Sequence, residues 1–368
     1  MKKLLFIVVF GAVTQIFANH TFEPSITCKE CHPKIYEEFQ TSQHRNASIF
    51  RDEIHAAVWK KHPKNIKLQS YGCARCHTPA SKNFEALIAK KNGVVPDPKD
   101  ETQQEGVSCA YCHRIEGIEH GDMLNKNIIA KEAKAYFGTR KDHIKSPFHK
   151  IRTDSEHFNN GNVCIGCHSH KKNKFGMNVC STNIKNELDG ANCVSCHMPK
   201  VDGTVSVLTK RKQHTFHGFP GTHMHLNMLS KYVDIELLNG ISAFDIAINN
   251  KSSHALSLHP MRVMQLRLKV IRDGETKTFE PKNFLRAIGA DGKPTPPWLA
   301  KEIVKDTSVK ANEKRVIHYD YKLQKGDKVE ATIGYFLVNP KIRKNLDLDK
   351  SEVATKFHVL KTQSFTIQ

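Results

Sequence analysis

The sequence predicts an α + β protein: a mostly helical, loop-rich domain followed by a C-terminal β-sandwich-like domain. Three observations carry this. The pentapeptide Cys-x-x-Cys-His occurs five times, always before residue 198. Of the 218 positions from 19 to 236, 72 are Asp, Glu, Lys, Arg or His, which leaves little side-chain material for a core. Beyond residue 237, apolar residues alternate with polar ones, the period of a half-buried strand.

The five copies are Cys28-Lys-Glu-Cys31-His32, Cys73-Ala-Arg-Cys76-His77, Cys109-Ala-Tyr-Cys112-His113, Cys164-Ile-Gly-Cys167-His168 and Cys193-Val-Ser-Cys196-His197. Two thiols three positions apart reach the two vinyl groups on one edge of a haem, and the following imidazole sits under the iron. Each copy therefore reads as a c-type haem site, with His32, His77, His113, His168 and His197 as iron ligands. Zinc would need a second cysteine or histidine pair at its own spacing beside each copy, and no regular pair accompanies them. A thioredoxin-like site would use one pair. Five covalently bound haems are thus expected, and they would supply the core that this polar segment lacks. The remaining cysteine, Cys180, reads as a buried free thiol, the alternatives being an unusual haem ligand or an intermolecular disulfide.

In chain order, Met1-Lys2-Lys3 and the apolar run Leu4 to Val13 resemble a secretory leader, with cleavage expected after Ala18. Residues 1–18 are then a signal peptide, 19–236 a pentahaem cytochrome c domain and 237–368 a β-sandwich-like domain. No later stretch is long and apolar enough for a membrane-spanning helix, so the expected location is the periplasm. Helices are expected over Ile35, Phe39, Ser42 and His44, around Phe84, Leu87 and Ile88, and from Met224 to Leu238. Val95-Pro96-Asp97-Pro98 breaks the chain between the second and third motifs. Later, Met264, Leu266, Leu268 and Val270 alternate with Gln265, Arg267 and Lys269, and Val329, Ala331, Ile333 and Tyr335 alternate likewise. With 241–248, 315–323 and 353–366 they make five or six strands.

The net charge is +19. Nucleic acid is not the expected partner, because the chain is expected to be exported and haem propionates absorb part of the charge. The remainder favours redox partners with acidic docking surfaces, or an anionic membrane surface. What decides the function is the sixth ligand of each iron: a second protein ligand makes an electron carrier, an open position a catalyst. Seventeen histidines outside the motifs can serve.

The run Cys31-His32-Pro33, Ile35-Tyr36, Phe39, Ser42, His44 and Ala47 resembles the opening of multihaem c-type cytochromes related to the tetrahaem electron acceptor of hydroxylamine oxidoreductase. Gly106-Val107-Ser108-Cys109, Ser146-Pro147-Phe148-His149 with Glu156-His157, and Cys196-His197-Met198-Pro199 agree with it. The resemblance implies His44, His149, His157, His214 and His254 as distal ligands, with His217, His223 and His120 as further candidates. It implies an exported pentahaem carrier of electrons between a quinol-oxidising system and a terminal reductase or oxidase. The alternative is an enzyme with one five-coordinate haem acting on nitrite, hydroxylamine or a sulphur oxyanion. All five motifs have the same form, so the sequence marks no haem as special.

Overall fold

The computed structural model describes residues 22–67, 70–141, 145–182 and 192–368; the expected leader at 1–18 lies outside them. Of the described residues 22% are helical and 30% lie in strands, which corrects the expectation of a mostly helical first part. The longest helices are α1 (Pro33–Gln40) and α2 (Glu53–Lys61). Pro33 opens α1 at a position where its missing N–H is not needed. Asp52 caps α2 by accepting from the Ile54 and His55 amides. So polar a segment has too few apolar residues for long amphipathic helices, and much of the rest closes into small two-stranded sheets. These pair Ile115–Glu119 with Lys126–Ile129, Ala135–Phe137 with Lys150–Arg152, His170–Lys172 with Asn178–Ser181 and Lys200–Asp202 with Gln213–Thr215.

The C-terminal part is built from three antiparallel sheets. The smallest pairs Arg286–Ala290 with Lys293–Pro294 and with Glu302–Asp306. The strands of the other two, which enclose the main core, are β1 (Val233–Asn239), β2 (Phe244–Asn250), β3 (Val263–Arg272), β4 (Glu275–Phe284), β5 (Lys314–Tyr319), β6 (Lys328–Phe336) and β7 (Phe357–Thr366). One sheet has the order β5-β2-β1 and the other β4-β3-β6-β7. Met264, Leu266, Leu268 and Val270 point into one core with Val329, Ala331, Ile333, Ile246 and Ile248. Asp273 and Gly274 both have positive φ, 51° and 85°, the backbone that a tight β3–β4 hairpin requires. β4 is a charged edge strand, exposed along most of its length. Such residues discourage pairing with another chain, and their lack of alternation hides the strand from a periodicity reading. The helix expected from Met224 to Leu238 is instead a 3-10 turn, Leu226–Tyr232, running into β1. Val233 and Ile235 are buried while Asp234 and Glu236 are not, a period of two that wins once β2 is available to pair.

The two parts share packing and hydrogen bonds. Ile54 of α2 packs with Leu337, Val338 and Leu348. Asn173 donates to the Pro297 and Ala300 carbonyls, and Arg286 donates to that of Asn178. The loop between β2 and β3 turns back toward the motifs. Asn250 braces it by donating to the His254 and Lys310 carbonyls.

Candidate haem sites

The spacing of the motif explains its local form. Residues i, i+3 and i+4 of a helical turn share one face, so a single turn aims two thiols and an imidazole the same way. Ala74–His77, Cys109–Cys112 and Cys193–His197 are such turns. Ser108 caps the third motif by accepting from the Tyr111 amide. Asn192 and Ser195 form a reciprocal capping box at the fifth. The fourth lies on a 3-10 turn that begins after Gly161, at φ 75°.

One cavity of about 2380 Å³ is lined by cysteines and the histidine of every motif. A pocket for one organic ligand spans about 300–1,000 Å³, so this volume suits several large groups. Four motif imidazoles are held by backbone carbonyls through Nδ1: His32 by Val205 at 2.6 Å, His77 by Ala47 at 3.0 Å, His113 by Phe137 at 2.7 Å and His197 by Pro220 at 2.6 Å. A carbonyl only accepts, so the proton sits on Nδ1 and the Nε2 lone pair is left for a metal.

Four motif histidines have another ring opposite them. Centroids are 6.3 Å apart for His32 and His149, 6.3 Å for His113 and His217, 5.8 Å for His168 and His44, and 6.2 Å for His197 and His254. Two imidazoles bonded to one metal at about 2 Å each would have centroids about 6 Å apart. The residues therefore fit bis-histidine haem. Burial, with nearby histidines adding to it, pushes His44 down to about 3 and His168 to about 4. Burial likewise lowers His217 to about 3, with His113 the next cause, and lowers His254. The rings are thus neutral, as metal ligation requires.

His77 differs. Its neighbouring ring is His55, with centroids 3.9 Å apart, too close for a metal between them. Both rings donate from Nδ1 to the same Ala47 carbonyl and so lie side by side. The Nε2 of His55 is taken by the Tyr71 hydroxyl at 3.3 Å. Among the described residues no histidine ring stands opposite His77 at the spacing of the other four pairs.

Two expected positions are corrected. His214 is fully buried, with Nδ1 at 3.0 Å from the Gly203 carbonyl and Nε2 at 2.7 Å from Glu38 Oε1. Both nitrogens are engaged, and the residue does not line the cavity. It sits inside the strand Gln213–Thr215 with its side chain turned toward α1; His217, beyond the strand end, lines the cavity, its Nδ1 donating to the Thr215 carbonyl at 2.7 Å. His157 is on a helical turn, faces no motif histidine and does not line the cavity. His120 is exposed. Cys180 lines the cavity and is exposed, which corrects the expectation of a buried thiol.

Cysteines of different motifs adjoin: Cys28 with Cys109, Cys76 with Cys167, and Cys164 with Cys193. A groove of about 390 Å³ lined by Arg140, Lys200, Lys210, Arg211 and Lys212 lies beside the cavity and shares Arg140, Lys200 and Arg211 with it.

Residues 27–114 and 125–198 match the family model of cytochrome c554 and c-prime. No curated protein matches the chain in sequence. The penta-heme cytochrome c552 from Thermochromatium tepidum shares the fold, with a TM-score of 0.75 over 94% of this chain and 99% of that chain at 19% identity. The superoxide reductase from Nanoarchaeum equitans has a TM-score of 0.18 at 16% identity over 28% of this chain and 81% of that one, too slight a likeness to carry an argument. The motif-bearing segment 27–198 is thus that of a c-type cytochrome, a carrier of electrons through covalently bound haem, and the chain as a whole shares the fold of a multihaem one.

Proposed function

We propose that the chain is an exported pentahaem cytochrome of the periplasm, carrying electrons between a quinol-oxidising system and a terminal reductase or oxidase of small nitrogen or sulphur compounds. The observation that carries this is the set of four facing histidine pairs around one cavity. In this reading His32, His77, His113, His168 and His197 are proximal ligands, and His149, His217, His44 and His254 are distal to the first, third, fourth and fifth motifs. The thioether cysteines are Cys28, Cys31, Cys73, Cys76, Cys109, Cys112, Cys164, Cys167, Cys193 and Cys196.

Haem supplies one-electron redox chemistry. The chain fixes where each group sits and holds the Nδ1 proton of four motif histidines on backbone carbonyls. The adjoining cysteines of the first and third, second and fourth, and fourth and fifth motifs support a chain of close centres. The basic groove supports docking of an acidic redox partner, since complementary charge raises the encounter rate. The strand domain supplies His254 and covers the cavity.

A second reading is favoured by one observation, the side-by-side placement of His55 and His77. It leaves the second motif without a facing ring and makes it the position for catalysis on nitrite, hydroxylamine or a sulphur oxyanion. Intact mass and the ferric electron paramagnetic resonance (EPR) spectrum test both readings. Five haems with four low-spin irons and one high-spin iron are expected. A different haem count sinks the pentahaem assignment, and five low-spin irons sink the open second position.

A further inference from the structure

The loop that brings His254 to the fifth motif carries a second group of residues that electron transfer does not use. At its end the Nη2 of Arg262 donates to His223 Nε2 at 3.1 Å, which leaves the His223 proton on Nδ1. The Nδ1 of His259 accepts from the Met261 amide at 3.3 Å, so its proton sits on Nε2. Neither remaining N–H has a partner among the described residues. Arg262, His223 and His259 all line the cavity, and His259 lies within electrostatic reach of His77.

The surroundings are positive. Arg262 forms no ion pair among the described residues. Asp52 is the carboxylate near it, and that side chain is already engaged by Gln43 and the amides of Ile54 and His55. Arg286 and Lys171 add charge on the same side, and Arg286 Nη1 is buried without a partner. Arg262 is half-buried in the cavity wall, and a guanidinium partly withdrawn from water without an anion is costly, so this arrangement is suited to a counter-charge that the described residues do not provide.

We propose that Arg262, His223 and His259 form a binding site for a small inorganic oxyanion, of the size and charge of nitrite or sulfite, beside the second motif. The proposal rests on the reading of that motif as open. The Arg262 fork would hold two oxygens, and the His259 Nε2–H and His223 Nδ1–H supply two further donors. These residues bind and orient the anion; no bond to it is made or broken by them.

The test uses the full-length ferric holoprotein with nitrite as probe, followed by absorption and EPR spectra. Nitrite is expected to convert the single high-spin signal saturably. At equal haem content, R262Q, which loses the charge and the two-pronged donor and keeps one neutral amide, should weaken nitrite about 10- to 100-fold and leave neutral imidazole binding unchanged. R262K, which keeps the charge and loses the fork, should fall between. H259N, should R262Q not take up haem, should weaken nitrite about tenfold. Unchanged nitrite affinity in R262Q, or equal loss for imidazole, overturns the site and leaves the open position standing. Unchanged affinity with a shifted haem potential would assign Arg262 to a propionate instead. A native protein with every iron low-spin overturns the open position itself.

Discussion

Replacing His217 and His214 one at a time separates two residues that the sequence alone does not tell apart. The His113 and His217 rings are 6.3 Å apart, and Phe219, which cannot ligate a metal, packs at 6.0 Å from His217. H217A therefore removes the only histidine ring among the described residues placed to be the sixth ligand there, and one iron of five should pass from low spin to high spin. Its cost in stability should be about 1 kcal/mol, the loss of one hydrogen bond from Nδ1 to Thr215. H214A should do the reverse. It removes one of the two partners of the buried Glu38 carboxylate and leaves the His217 amide as the other, which destabilises by about 2 kcal/mol, and no iron should change spin. EPR integration reads the first effect, and denaturant unfolding of the two variants reads the second. A new high-spin signal in H214A, with the H217A spectrum unchanged, would refute the ligand assignment.

L266A, at a fully buried core position of β3, should cost about 2–5 kcal/mol and leave the haem count at five; fewer haems would mean that the strand domain is needed for attachment. The two Asp327 oxygens accept from Arg272 Nε and Nη2, both at 2.7 Å, and Arg272 is the first cause of a carboxyl held below its ordinary value. That stabilisation is complete above about pH 3.9, the unfolded value, and is lost as pH falls through the lower folded value. D327N should therefore lower the denaturant midpoint at pH 7 and flatten its fall in acid; an acid profile like that of the native chain would exclude this pair as a contributor. Reversing Lys210 and Lys212 in the basic groove to glutamate should slow reduction by an acidic partner about tenfold at low salt and less at high salt, as stopped-flow mixing would read. Equal slowing at every ionic strength would argue against docking there.

Several features of this protein are set by local sequence. A cysteine pair with the following histidine needs only one helical turn to aim all three groups, so the five motif sites could be read without a fold. The alternation in β3 and β6 is likewise local, because one face meets a core and the other water. His44, His149 and His254 could be named from the resemblance of short segments, and each stands opposite a motif ring.

Only the tertiary structure decided between His214 and His217. They are three residues apart, and the choice depends on where a short strand ends and on Glu38 waiting in α1 for the first of them. It also turned 233–239 into a strand, because the pairing partner β2 lies farther along the chain. The motif Cys73-Ala-Arg-Cys76-His77 is identical in form to the other four. What distinguishes it is that no histidine ring among the described residues faces it, and that His259, on a loop nearly two hundred residues away, comes within its electrostatic reach. Such partners are properties of long-range packing, and a local pattern holds no record of them.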